Sequence, residues 1–196
     1  MMGREATIER KTKETEVLVK LCLDGSGEGN ISTEIPFLDH MLNLFTRHSL
    51  IDLTVKGRGD REIDDHHLVE DVGITLGMAF GQAMGEKKGI ERYGHSVLPM
   101  DESLCSVSVD LSGRPYLIYN VDYPECRIGA FSASLVGEFF KAFSDHSGIT
   151  LHINLHYGKS SHHIAEAVFK ATARAVREAL TINKRIAGVL STKGSL

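Results

Sequence analysis

The chain has 196 residues, with 22 lysines and arginines against 26 aspartates and glutamates and a formal net charge of −4. Hydrophobic and charged contents of 42% and 24% exclude a mainly disordered chain, and the length allows one domain or two small ones sharing a core. The slight acidity argues against broad nucleic-acid binding, no apolar run reaches the about 18 residues of a membrane span, and the charged stretch from Met1 to Glu16 lacks the apolar segment of a secretory signal.

The first dozen residues carry no clear structural signal. Glu16 to Asp24 reads as a strand, the glycine-rich Gly25 to Gly29 as a turn, and Asn30 to Glu34 as a second strand. Pro36 opens a helix that holds His40, Leu42 and Phe45, followed by a strand at Ile51 to Val55 and a polar loop from Gly57 to Asp65. A long helix is expected from His66 to Glu86, capped by Asp64 or Asp65. Gly73, Gly77, Gly81 and Gly85 share one of its faces. Each interior glycine costs roughly 1 kcal/mol against alanine, so another backbone should pack closely there. Gly89 to Asp101 reads as a loop, Ser103 to Leu111 and Tyr116 to Tyr123 as strands, and Leu135 to Phe143 as a short helix. A strand at Thr150 to Leu155, a long helix at Ser161 to Leu180 and a basic tail complete the chain. Cys22, Cys105 and Cys126 show no CxxC spacing and read as reduced thiols of a cytoplasmic protein.

The two halves repeat one another. DHMLNLFTRHSLIDLTV followed by DDHHLVED aligns with GEFFKAFSDHSGITLHI followed by SSHHIAEA, so His48 falls on His146, His66-His67-x-x-Glu70 on His162-His163-x-x-Glu166, and His40 on Glu138. The expected architecture is therefore α+β, with two pseudo-symmetric repeats spanning 1–95 and 96–196. Each would be a small mixed sheet with helices on one face. A unit of about 90 residues buries its core poorly alone, so two should share one.

Residues i and i+4 lie on one helix face. His66 and Glu70 can thus chelate one ion while His67 serves a second, and His162, Glu166 and His163 repeat the pattern. A pseudo-twofold arrangement groups His66, Glu70, His163 and Glu138 on one ion and His162, Glu166, His67 and His40 on the other, within one chain or across a subunit interface. Imidazole and carboxylate donors without thiolate favour Mn2+ or Fe2+ over structural Zn2+, with Mn2+ expected. Asp64, Asp65 and Asp71 flank the first cluster as candidate partners of the imidazoles, or, for Asp65, as a plain helix cap. One HHxxE is more often a solvated histidine pair; two in equivalent places point to metal. His48 is a candidate substrate neighbour, whereas His95, His146, His152 and His156 read as surface or strand histidines.

TKET, FLDHML, DDHHLVED, PMDE, SGRPYL, SHHIAEA and STKG occur in the order found in imidazoleglycerol-phosphate dehydratases of histidine biosynthesis, and the resemblance covers nearly the whole chain. It implies a fold like domain 2 of ribosomal protein S5 in each repeat. It also implies two Mn2+ ions per site, an assembly of 24 subunits with sites built from neighbouring chains, and loss of water from imidazole glycerol phosphate to give imidazole acetol phosphate. The hydrogen removed is not acidic; ions on both ring nitrogens would hold an imidazolate able to expel the hydroxyl through a diazafulvene-like intermediate. By match to TKET, Glu14 corresponds to the acid/base. Arg92, Arg114, Ser191 and Lys193 correspond to phosphate-binding positions, and Asp101 and Glu102 would either orient the arginines or play a purely structural role. Glu138 stands where some relatives carry histidine. Two other readings are a dimetal hydrolase and a protein whose ions only link subunits.

Overall fold

The computed structural model describes residues 3–196. The first half runs β1 (Glu5–Lys11), β2 (Thr15–Cys22), β3 (Gly29–Ser32), α1 (Pro36–Ser49), β4 (Asp52–Gly59) and α2 (His66–Met84). The second half repeats this order as β5 (Tyr93–Met100), β6 (Ser103–Asp110), β7 (Tyr116–Asn120), α3 (Leu135–Ser147), β10 (Thr150–Tyr157) and α4 (Ser161–Leu180), with a short hairpin of β8 (Arg127–Ile128) and β9 (Phe131–Ser132) inserted before α3. The sheets have the orders β1-β2-β4-β3 and β5-β6-β10-β7. In each, the last pair is parallel and the others antiparallel. A parallel neighbour requires a crossover, which α1 and α3 supply. The two-repeat α+β architecture expected from the internal similarity is the observed one.

Alternation sets which face each sheet buries. Val17, Val19 and Leu21 of β2 and Cys105, Val107 and Val109 of β6 point into the core, while their neighbours along the strand stay at least partly accessible. The helices lie on the buried faces and pack across the repeats, α1 on α4 and α2 on α3. Aromatic side chains join the halves there: Phe45 and Phe80 each meet Phe143, at ring-centroid distances of 6.2 and 5.4 Å. Within the second half, Phe140 of α3 meets Phe169 of α4 at 4.8 Å.

The glycine face of α2 has the close neighbour its spacing predicts. A Cβ on Gly73 would lie 2.8 Å from the Phe139 carbonyl oxygen, and one on Gly77 would lie 2.8 Å from that of Phe143. Gly85 serves differently, closing the helix with a φ of 51°. Asp64, not Asp65, meets the start of α2, its carboxylate accepting the His66 N–H at 2.8 Å; Asp65 pairs instead with Arg61.

Three expectations need correction. Residues 89–101 are not a loop: β5 occupies Tyr93–Met100, crossing the 95/96 position. The silent N-terminus holds β1. Both are outer strands of their sheets, and both bury only one small residue fully, Ala6 and Gly94, so neither shows an apolar alternation. The loop expected from Gly57 is also too long, because β4 continues to Gly59.

Candidate active site

α1 and α4 bring together His40, His162 and Glu166. His40 Nε2 and His162 Nε2 lie 3.0 and 3.1 Å from the same Glu166 Oε1. The other carboxylate oxygen accepts from Lys170 Nζ at 2.6 Å. Burial alone would raise the Glu166 pKa, but Lys170, helped by His40 and His162, holds it down at about 2. Two turns beyond His40, His48 is half-buried; that burial, and then the charges of Lys170, Arg174 and Arg47, push its imidazole below the usual range and keep it neutral at pH 7. Lys170 carried no motif in the sequence; its position four residues after Glu166 was the available signal.

His67 does not join this group. Its Nδ1 lies 3.0 Å from Asp60 Oδ2 and 3.9 Å from Glu14 Oε2. Its partner in the second repeat, His163, holds Nδ1 at 2.6 Å from Glu102 Oε2. The hydrogen bonds to Asp60 and Glu102 raise the two imidazole pKa values, and the bond from His163, with the Ser160 N–H, keeps Glu102 well below the usual carboxylate range. Glu102 therefore faces a histidine rather than an arginine, and Asp101 lies 3.8 Å from the same ring. Asp71, a candidate imidazole partner by sequence, instead accepts from Arg10 and Thr15 and ties β1 and β2 to α2.

Glu14 lies at the β1–β2 turn. The Thr12 hydroxyl accepts the backbone N–H groups of Glu14 and Thr15 at 3.1 and 2.9 Å, which fixes the turn while the Glu14 side chain stays 57% exposed. His66 lies in the first turn of α2, and Glu70 and Glu138 are exposed on α2 and α3; no side-chain hydrogen bond joins these three among the described residues.

Arg92, Arg114, Ser191 and Lys193 line one open concavity of about 990 Å³. Arg92 is buried and engaged: its guanidinium donates to both Asp110 oxygens, at 2.7 and 3.1 Å, and to the Leu190 carbonyl at 2.8 Å. Asp110 thus orients this arginine, the role expected of Asp101 and Glu102. Arg114 and Lys193 are exposed and, among the described residues, have no ion-pair partner. Arg185, exposed and likewise without an ion-pair partner among the described residues, also lines the concavity, which thus offers three uncommitted cations beside the Ser191 hydroxyl, a set that suits a phosphate group.

The sequence profile of the imidazoleglycerol-phosphate dehydratase family matches residues 33–176. Imidazoleglycerol-phosphate dehydratase of Syntrophus aciditrophicus is 61% identical over 197 residues, covering 100% of both chains. The chain belongs to the imidazoleglycerol-phosphate dehydratase family. The Citrifermentans bemidjiense dehydratase is 58% identical, again over 100% of both chains. The crystal structure of the Staphylococcus aureus dehydratase superposes with a TM-score of 0.84 at 39% identity, covering 91% of this chain and 99% of that one. The Pyrococcus furiosus dehydratase gives 0.83 at 36% identity, covering 96% and 100%. As a member of this dehydratase family the chain is a carbon–oxygen hydro-lyase. Among its described residues no helix is long and apolar enough to cross a membrane.

Proposed function

We propose that this protein removes water from imidazole glycerol phosphate to give imidazole acetol phosphate in histidine biosynthesis, as a cytoplasmic dimanganese enzyme of 24 subunits. The full-length match to curated dehydratases carries this reading. The donor set supports it: two imidazole nitrogens and a carboxylate oxygen converge within 4.8 Å, with no thiolate, a combination suited to Mn2+. His40, His162 and Glu166 would hold one ion together with His67 of a neighbouring subunit. Glu138, His66, Glu70 and His163 would form the pseudo-symmetric set. Within one chain His67 lies with Asp60 and Glu14, which favours a site completed between chains.

Two such ions, held by these residues, would supply positive charge that makes the substrate ring a better electron acceptor and donor during the loss of the hydroxyl. Glu14 handles the carbon-bound proton. Its carboxylate takes the hydrogen from the middle side-chain carbon, which keeps its own hydroxyl; that C–H electron pair becomes a double bond to the ring-bearing carbon, whose C–O bond breaks, and the departing hydroxyl receives the proton back from Glu14 and leaves as water. The enol so formed becomes the ketone. Arg114, Ser191 and Lys193 grip the phosphate, and Arg92, braced by Asp110, shapes that concavity and adds charge. His48, neutral at pH 7, borders the substrate as a neighbour.

The test is direct turnover. With Mn2+ and imidazole glycerol phosphate, the purified protein should form the ketone in step with substrate loss, release no inorganic phosphate and leave generic phosphomonoesters untouched. Phosphate release without ketone would instead establish the hydrolase reading.

A further inference from the structure

We propose that Asp60 and Glu102 are positioning residues, each gripping Nδ1 of one motif histidine, His67 or His163, and thereby presenting Nε2 as the metal-binding nitrogen. The inference rests on reading His67 and His163 as metal ligands. A neutral imidazole carries one N–H and one lone pair. A carboxylate accepts hydrogen bonds but cannot donate them, so its contact with Nδ1 fixes the proton there and leaves the lone pair on Nε2. The contacts are 3.0 Å for Asp60 and 2.6 Å for Glu102.

The two carboxylates come from non-equivalent places, and the fold explains why. Strand register makes Glu102, just before β6, the counterpart of Glu14, just before β2. Asp60 follows Gly59, the last residue of β4. In β10 the register shifts between Leu155 and Tyr157, which sets Gly158 in the place of Gly59: a Cβ on Gly158 would meet Ile164 and Ser103, as one on Gly59 would meet their counterparts Leu68 and Thr15. The place of Asp60 in the second repeat therefore falls to Lys159, which offers no carboxylate, and the glutamate takes over the task. Glu102 Oε1 also accepts the N–H groups of Ser160 and Lys159, at 2.8 and 3.2 Å, and the Ser103 hydroxyl at 3.1 Å. With every oxygen engaged, Glu102 is held in place and withdrawn from proton transfer. In the first repeat Asp60 does the holding, so Glu14 remains exposed. Duplication of the unit thus leaves one glutamate for proton transfer and assigns its twin to orienting a ligand.

Glu102→Gln and Asp60→Asn test this without changing side-chain shape. Each amide can turn an N–H toward Nδ1, which moves the imidazole proton to Nε2 and blocks that nitrogen. Two readouts are taken on each variant and on Glu14→Gln: Mn2+ affinity by chelator competition, and the His67 and His163 tautomers from 15N spectra of the metal-free protein at alkaline pH. The expected result is about 10- to 100-fold weaker Mn2+ binding for Glu102→Gln and Asp60→Asn, with the Nδ1–H tautomer lost at His163 and His67 respectively, and unchanged affinity for Glu14→Gln. Wild-type affinity, or an unaltered tautomer, in both positioning variants overturns the proposal. His67→Ala and His163→Ala separate the two levels: if they bind Mn2+ as the wild type does, the ligand reading itself fails, whereas weakened binding in them alone removes only the positioning role.

Discussion

Glu14 and Glu102 share a place in the repeat but not a state: one is exposed on a fixed turn, the other carries hydrogen bonds on both oxygens. Glu14→Gln should therefore retain metal content and assembly while lowering kcat by about 10²–10⁴-fold, the range for a lost general acid/base. Turnover and elemental analysis on one preparation check this, and full activity would remove Glu14 from the reaction. A second residue, far from the chemistry, gives a pH prediction. Asp52 Oδ1 accepts the backbone N–H groups of Ser26, Gly27 and Glu28 at 2.8, 3.0 and 2.9 Å, bonds that lower its pKa from 3.8. A depressed carboxylate pKa stabilises the fold above the unfolded-state value, and that stability is lost as pH falls through the folded value. Asp52→Ala should cost about 1–3 kcal/mol at pH 7, and urea midpoints should show the gap from wild type narrowing as pH falls below about 4, the unfolded-state value. A gap independent of pH would contradict the account.

At the scale of elements, α2 and α3 approach so closely that glycine matters by position. Gly77→Ala gains about 1 kcal/mol of helix propensity, but its methyl would lie 2.8 Å from the Phe143 carbonyl oxygen and 2.9 Å from His146 Cβ. Overpacking costs about 1–3 kcal/mol, so a net loss is expected. Gly81→Ala meets nothing nearer than 3.5 Å and should be neutral or stabilising. Gly94→Ala should be the most damaging of the three, because its methyl would fall 1.9 Å from the Ala175 carbonyl oxygen. Thermal unfolding of the three variants should rank them Gly81, Gly77, Gly94, from most to least stable. The same elements show what the sequence could convey. Glycine at every fourth position of α2 marks a close helix contact, and the paired HHxxE motifs mark the repeat, because both are local and periodic. β1 and β5 are not legible: an outer strand that fully buries one small residue leaves no apolar rhythm. His40 could be grouped with His162 and Glu166 because pseudo-symmetry relates them to Glu138, His66 and Glu70. The partners of His67 and His163 could not be read in this way, since Asp60 and Glu102 occupy different places in their repeats.

At the scale of the molecule, the described residues present two separate imidazole–carboxylate groups, His40 with His162 and Glu166, and His67 with Glu14 and Asp60. If neighbouring subunits unite such groups around shared ions, metal and assembly must be coupled. His67→Ala and His163→Ala should each lower the Mn2+ content and, given the proposed assembly, shift the particle toward smaller species in sedimentation; unchanged metal content would count against these ligands. The central claim is that dehydration depends on two ions held by the twin motifs. It is tested most directly by titrating metal-free protein with Mn2+ while assaying dehydration of imidazole glycerol phosphate on the same sample. The account predicts no turnover at the start and a rise that levels off at two tightly held ions per active site. Undiminished turnover in the metal-free protein, or saturation at a single ion, would contradict it.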